Sequence, residues 1–193
     1  MIQADLTDRF FVMTGGPGSG KSTLIAALSA RGISAMPEVG RAIIQDQVAI
    51  GGSALPWADR HAFAELMLHW ELRSYRTAAE RAGPVIFDRG VPDVVGYLRL
   101  CGLPVPSHIM QAAETHRYHR GVFVAPPWEE IFAQDTERKQ TFAEAVATFE
   151  AVTSVYRSLG YELVMLPFAS VEERVRFVIE ELGFRSGPED SGQ

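Results

Sequence analysis

Nine consecutive residues constrain this chain more than any others: Gly15, Gly16, Pro17, Gly18, Ser19, Gly20, Lys21, Ser22 and Thr23. They satisfy the spacing Gly-x4-Gly-Lys-Ser. The apolar run Phe10 to Met13 precedes them, and the following LIAALSARG repeats apolar residues at helical spacing. Strand, glycine loop and helix in that order are the context this motif requires. Glycines let backbone N–H groups converge on phosphate oxygens, and the helix N-terminus adds a favourable dipole. Lys21 is then placed to reach the β- and γ-phosphates of a triphosphate, and the Ser22 hydroxyl to bind Mg²⁺. The expected ligand of all nine residues is ATP, with GTP possible. A dinucleotide-binding turn competes, because Gly16-x-Gly18 starts correctly and Glu38 lies about twenty residues on. It fails at position 21, where its third glycine would stand and this chain has lysine.

The rest of the chain alternates in the same way. Short apolar runs at 33–36, 85–87, 121–124 and 163–166 read as four more strands. Between them, helical spacing is expected over 41–50, 59–81, 92–100 and 107–116. Thr141 with Glu144 and Ser170 with Glu173 form capping boxes that open two later helices. Strands separated by helices call for a parallel sheet covered on both faces, because parallel connections are crossovers. The expected fold is α/β, a three-layer sandwich around a five-stranded parallel sheet. One domain is expected over residues 1–185, with a polar, disordered tail at 186–193.

Charge and composition exclude several classes of partner. The net charge is -6, and no run of Lys and Arg makes the stripe that nucleic acid requires. No apolar run approaches the roughly 18 to 20 residues of a membrane span, and the first ten residues carry acids where a secretory signal carries bases. A cytoplasmic protein is expected, its oligomeric state left open. The single cysteine, Cys101, is expected to be a small buried apolar residue. His108, His116 and His119 lack convincing zinc spacing, and Trp57, Trp70 and Trp128 read as core or rim.

The kind of triphosphate chemistry is narrowed by two details. Asparagine is absent from the sequence, so the Asn-Lys-x-Asp loop by which Ras-type GTPases read guanine cannot be present. Arg89 follows Asp88, where hydrolytic machines of the AAA type commonly place a glutamate; this favours transfer to a bound acceptor. Asp88 ends an apolar strand, which suits an acid organising Mg²⁺, the alternative being a cap on the next helix. Glu38 reads as an acceptor-binding residue or general base, or as a solvated or salt-bridged acid near a helix start. Arg41 and Arg89 are candidate acceptor or phosphate contacts.

The stretches TGGPGSGKST, PEVGRAI, PVIFDRGVPDVVGYLRLCG and APPWEEIFAQDTERKQ, in that order, resemble bacterial predicted ATPases of the P-loop kinase type. These in turn resemble the ribosylnicotinamide kinase domain of bifunctional NAD-biosynthesis proteins, over about residues 9 to 183. Asp88-Arg89 is also similar to the strand-end pair of thymidylate and deoxynucleoside kinases. There such residues face Mg²⁺ and the acceptor, and Glu38 is similar in position to their general base. Gly90 and Val39 depart from that pattern. The resemblance implies a mobile cationic lid within 128–140, with Arg138 and Lys139 neutralising the transferred phosphoryl group. It also implies an adenine contact at Pro167 and Phe168. The implied activity is ATP-Mg²⁺-dependent phosphoryl transfer to a nucleoside-like or nucleotide-like acceptor. The competing expectation is a nucleotide-binding regulatory protein or slow NTPase.

Overall fold

A computed structural model of the chain describes residues 6–132 and 141–183. Five strands form its sheet: β1 (Phe10–Gly15), β2 (Ser34–Met36), β3 (Val85–Asp88), β4 (Gly121–Ala125) and β5 (Glu162–Met165). All pairings are parallel and the order is β2-β3-β1-β4-β5. The helices are α1 (Lys21–Ser29), α2 (Val39–Ile50), α3 (Arg60–Ala79), α4 (Val91–Leu100), α5 (Ser107–Thr115), α6 (Phe142–Ser158) and α7 (Val171–Glu181). This is the three-layer α/β sandwich that the alternation implied. Both capping boxes form: Thr141 Oγ1 accepts from the Glu144 N–H at 3.2 Å, and Ser170 Oγ from the Glu173 N–H at 3.3 Å.

β1 is buried along its whole length and sends alternate side chains to opposite faces. Phe11 and Met13 pack with Leu24, Leu28, Val175 and Val178 from α1 and α7. Phe10 and Val12 face the other way, into a core shared with Phe87, Tyr118, Tyr156 and Tyr161. Thr14 continues that second row, which brings a hydroxyl under α4 and α6. Those two helices pack closely where Gly96 meets Val152; a Cβ at Gly96 would lie 2.8 Å from the valine side chain.

The strand order reverses direction at β1, whose neighbours β3 and β4 lie on opposite sides. Crevices for ligands open at such switch points, beyond the C-terminal ends of the strands. Met13 is in register with Asp88 on β3 and with Phe123 on β4. The phosphate loop therefore emerges between the ends of β3 and β4.

Candidate active site

Lys21 opens α1 and is buried against the loop that precedes it. Its Nζ donates to the Gly16 carbonyl at 2.6 Å, to Gly15 at 3.3 Å and to Ser19 Oγ at 3.2 Å. Burial, and then the Arg89 charge, pull this ammonium down to about 8, against the opposing pull of Asp88, Glu38 and Asp93. Ser22 and Thr23 follow on the exposed side of the helix. The Phe132 ring packs over Gly18, where an added Cβ would lie 2.6 Å from it, so the loop requires a residue without a side chain there.

Asp88 stands at the end of β3 with only 6% of its surface exposed, and its Oδ1 has no hydrogen-bond partner among the described residues. Burial raises its pKa above the ordinary carboxylate value, while Lys21 and Arg89 restrain the rise. The chain then turns through Arg89 at φ 78°, a left-handed conformation that costs a non-glycine residue on the order of 1 kcal/mol. The Arg89 N–H donates to Met13 O at 3.0 Å, so the turn is closed onto β1. Its side chain returns to the loop. Nη1 donates to Gly15 O at 3.0 Å and to Asp93 Oδ1 at 3.3 Å, and Nε lies 3.5 Å from Glu38 Oε1. Burial opposes its charge, but Glu38, Asp93 and Asp88 together hold the guanidinium protonated above its ordinary range.

Asp93 is central to this network, and the sequence reading did not single it out. It accepts from Thr14 Oγ1 at 2.5 Å, Tyr156 OH at 2.6 Å and the Gly90 N–H at 3.0 Å, besides Arg89. Its place three residues after Gly90, alone in the apolar stretch Val91–Leu98, was the available signal. Glu71 was missed as well. It lies on the buried side of α3, eight residues beyond Phe63, and is only 3% exposed. Burial first, then the negative charges of Asp93 and Asp88, push its pKa well above the ordinary 4.5. A lone acid in register with an apolar helical stripe was the signal there.

Of these residues, Glu38, Arg89, Asp93 and Glu71 line a cleft of about 580 Å³ together with Pro17 of the phosphate loop. Its walls come from α2, α3, α4 and α6 and are largely apolar. The structure thus brings together Lys21, Glu38, Asp88 and Arg89 from three separate stretches of sequence, linked by the contacts above and by electrostatic coupling.

A different set of residues lies along the other flank of the loop. Arg174, in the first turns of α7, donates from Nη1 to Ser19 O at 3.0 Å and from Nε to Pro167 O at 2.8 Å. Its guanidinium stacks 5.0 Å above Trp128, which meets Phe168 edge to face at 5.5 Å. Pro167 and Phe168 therefore stand beside the loop. Phe168 is 61% exposed. Sequence reasoning missed Arg174, which lies seven residues past Pro167 and has no local signature.

Other expectations meet different outcomes. Cys101 is not buried: it is half-exposed and lines the cleft, because α4 ends there at the mouth. Trp57, also at that mouth, is 60% exposed. Arg41 is exposed on α2 and is not among the residues lining the cleft. In the segment beginning at Trp128, residues 129–131 form a 3-10 turn, and Phe132 meets Phe142 edge to face at 5.5 Å. Arg138 and Lys139 lie outside the described residues, as does the 186–193 tail. Among the described residues, no helix is long and apolar enough to cross a membrane.

A parallel sheet of this order, carrying a phosphate loop beside a strand-end Asp-Arg pair, defines a P-loop protein with a nucleoside-kinase-like fold. The AAA domain family matches residues 10–174, and the chain belongs to that family. Its structure resembles that of the NadR protein in complex with NR, with TM-score 0.67 and 16% identity. That match covers 95% of this chain and 53% of the other, so this chain spans about half the length of that relative. Deoxyadenosine kinase from M. mycoides, with dCMP and dCDP bound, gives a TM-score of 0.63 at 13% identity, covering 90% of this chain and 98% of that one. Thymidylate kinase from Ehrlichia chaffeensis gives 0.60 at 15% identity, covering 91% and 98%. No curated protein matches the sequence.

Proposed function

We propose that this protein transfers the γ-phosphoryl group of ATP, or of GTP, to the hydroxyl of a small-molecule acceptor. One observation carries the reading: Pro17 of the phosphate loop lines the same cleft as Glu38 and Arg89, so a triphosphate on the loop would end where an acceptor can stand. A site built only to hydrolyse nucleotide has no need of a second cavity of about 580 Å³ opening on its γ-phosphate.

In this reading Gly15 to Thr23 cradle the phosphates, and Lys21 exchanges its loop-carbonyl bonds for phosphate oxygens. Ser22 and Asp88 hold Mg²⁺. The unpartnered buried Oδ1 of Asp88 fits that role, since a buried carboxylate oxygen without a donor is costly unless a cation or water meets it. The metal supplies neutralisation of phosphate charge. Glu38 lines the cleft and Asp88 does not, which makes Glu38 the acid that takes the acceptor's proton. Arg89 orients Glu38 and places positive charge at the junction of loop and cleft. Trp128, Pro167, Phe168 and Arg174 form the base-side flank.

The test is ATP and GTP consumption by the full chain with Mg²⁺ across nucleosides, nucleotides and ribosylnicotinamide, compared with the acceptor-free rate. Acceptor-dependent consumption, with a phosphorylated product seen by mass spectrometry, supports transfer. Consumption indifferent to every acceptor would favour a slow NTPase or a regulatory nucleotide-binding protein.

A further inference from the structure

The charged groups on the cleft wall are unevenly matched to a phosphate. Four carboxyls line it, Glu38, Glu71, Asp93 and Glu144, against two guanidiniums, Arg60 and Arg89. Recognition of a phosphate monoester calls for arginines whose donors are free to fork onto its oxygens. Arg89 is already engaged by Gly15 O, Asp93 and Glu38. Arg60 is exposed at the rim, and its Nε donates to Pro56 O at 3.0 Å. A dianion entering there would meet the carboxylates of Glu38, Asp93 and Glu144 with no unengaged cation at the floor among the described residues.

The apolar part of the wall, from Phe63, Met67, Val94 and Tyr97, suits a ring system or another compact apolar body. Glu71 stands at the buried end. Its carboxyl is within the electrostatic reach of Arg89 and Asp93, and the residue is 3% exposed. A carboxyl lining the cleft at that depth can be reached by a polar group of a ligand. A carboxyl can accept a hydrogen bond from a hydroxyl, whereas a phosphate dianion offers it no donor.

We propose that the acceptor is a phosphate-free alcohol with an apolar body, and that Glu71 selects it by hydrogen-bonding a second polar group beside the hydroxyl that Glu38 deprotonates. This rests on the kinase reading above and narrows it to the nucleoside-like side. Phosphoryl transfer then breaks the bond between the γ-phosphorus and the β,γ-bridging oxygen of ATP and forms one to the acceptor oxygen. The acceptor's proton passes to Glu38, and ADP leaves with the electron pair.

The experiment pairs each common nucleoside, and ribosylnicotinamide, with its own 5'-monophosphate as acceptor for the full chain with ATP and Mg²⁺. The expected kcat/KM favours the unphosphorylated member by about a hundredfold or more, as unpaired charge in a buried site enforces. Equal or better use of the monophosphates overturns this proposal and leaves the kinase reading intact. No acceptor-dependent transfer to either series overturns both. A second arm takes the best alcohol and measures Glu71→Leu and Glu71→Gln, with melting temperature alongside. Leucine should raise KM by about tenfold or more and change kcat far less, with glutamine recovering most of the loss. An unchanged KM in Glu71→Leu, or a kcat loss that tracks loss of folded protein, assigns Glu71 a structural role and overturns its part.

Discussion

The two flanks of the phosphate loop are built differently. On the Arg174 side, one guanidinium joins two backbone carbonyls beside a half-buried Trp128, and Phe168 is 61% exposed. On the Asp93 side, Thr14, Arg89, Tyr156 and the Gly90 N–H converge on one buried carboxylate. An open aromatic flank can accept a flat base with little rearrangement. A buried network cannot give up one member without leaving others unpaired. The Arg174 side should therefore tolerate substitution, and the Asp93 side should couple recognition to stability.

The largest effect tests what both flanks share. Lys21→Ala should abolish phosphotransfer and weaken ATP binding in a calorimetric titration; unchanged affinity and turnover would remove the basis for comparing the flanks at all. Next come two acids on the same side of the loop. Asp93→Ala strands Tyr156, Thr14 and Arg89 and should destabilise the fold by about 3–5 kcal/mol in urea unfolding. Asp88→Asn replaces an acid with an unpartnered oxygen and a raised pKa, so it should leave the melting temperature nearly intact while Mg²⁺-dependent turnover collapses. If Asp88→Asn unfolds the protein while the folded remainder stays active, Asp88 is only a helix cap.

Smaller effects sharpen the contrast. Arg174→Ala removes the link between loop, Pro167 and Trp128, and should raise KM for ATP about tenfold while KM for the acceptor is little changed. A loss shared equally by both substrates would show that the flanks are not separable. The smallest effect is a pH dependence. Glu71 has a folded pKa above its ordinary 4.5, so the unfolded chain releases that proton first and wild-type stability falls as pH rises from about 4.5 towards the folded value. Glutamine does not titrate. The melting temperature of Glu71→Gln should therefore gain on wild type between pH 5 and pH 8, by about 2 °C or more. A constant difference would mean that Glu71 is ionised in the fold.

What could be read without a structure was whatever depends on neighbours in sequence. The phosphate loop uses consecutive backbone groups between a strand and a helix, and the capping boxes close over three residues, so position along the chain already specified their geometry. The five strands and the sandwich followed from alternation, because apolar period and glycine punctuation are local. Asp88 and Glu38 could be placed near the loop because Asp88 ends β3 and Glu38 follows β2 by two residues, at the edge of the sheet where the loop begins. Asp93, Glu71 and Arg174 were not. Asp93 meets Thr14 across 79 residues and Tyr156 across 63, and Arg174 meets Ser19 across 155. Whether an acid on a helix faces water or the end of a cleft depends on which elements pack over it, and those come from elsewhere in the chain. The same packing that buries Glu71 leaves Cys101 half-exposed at the cleft mouth, contrary to its composition-based expectation. Local chemistry was legible because it needs only adjacent residues, whereas desolvation is a property of the packed whole and was decided by tertiary structure alone.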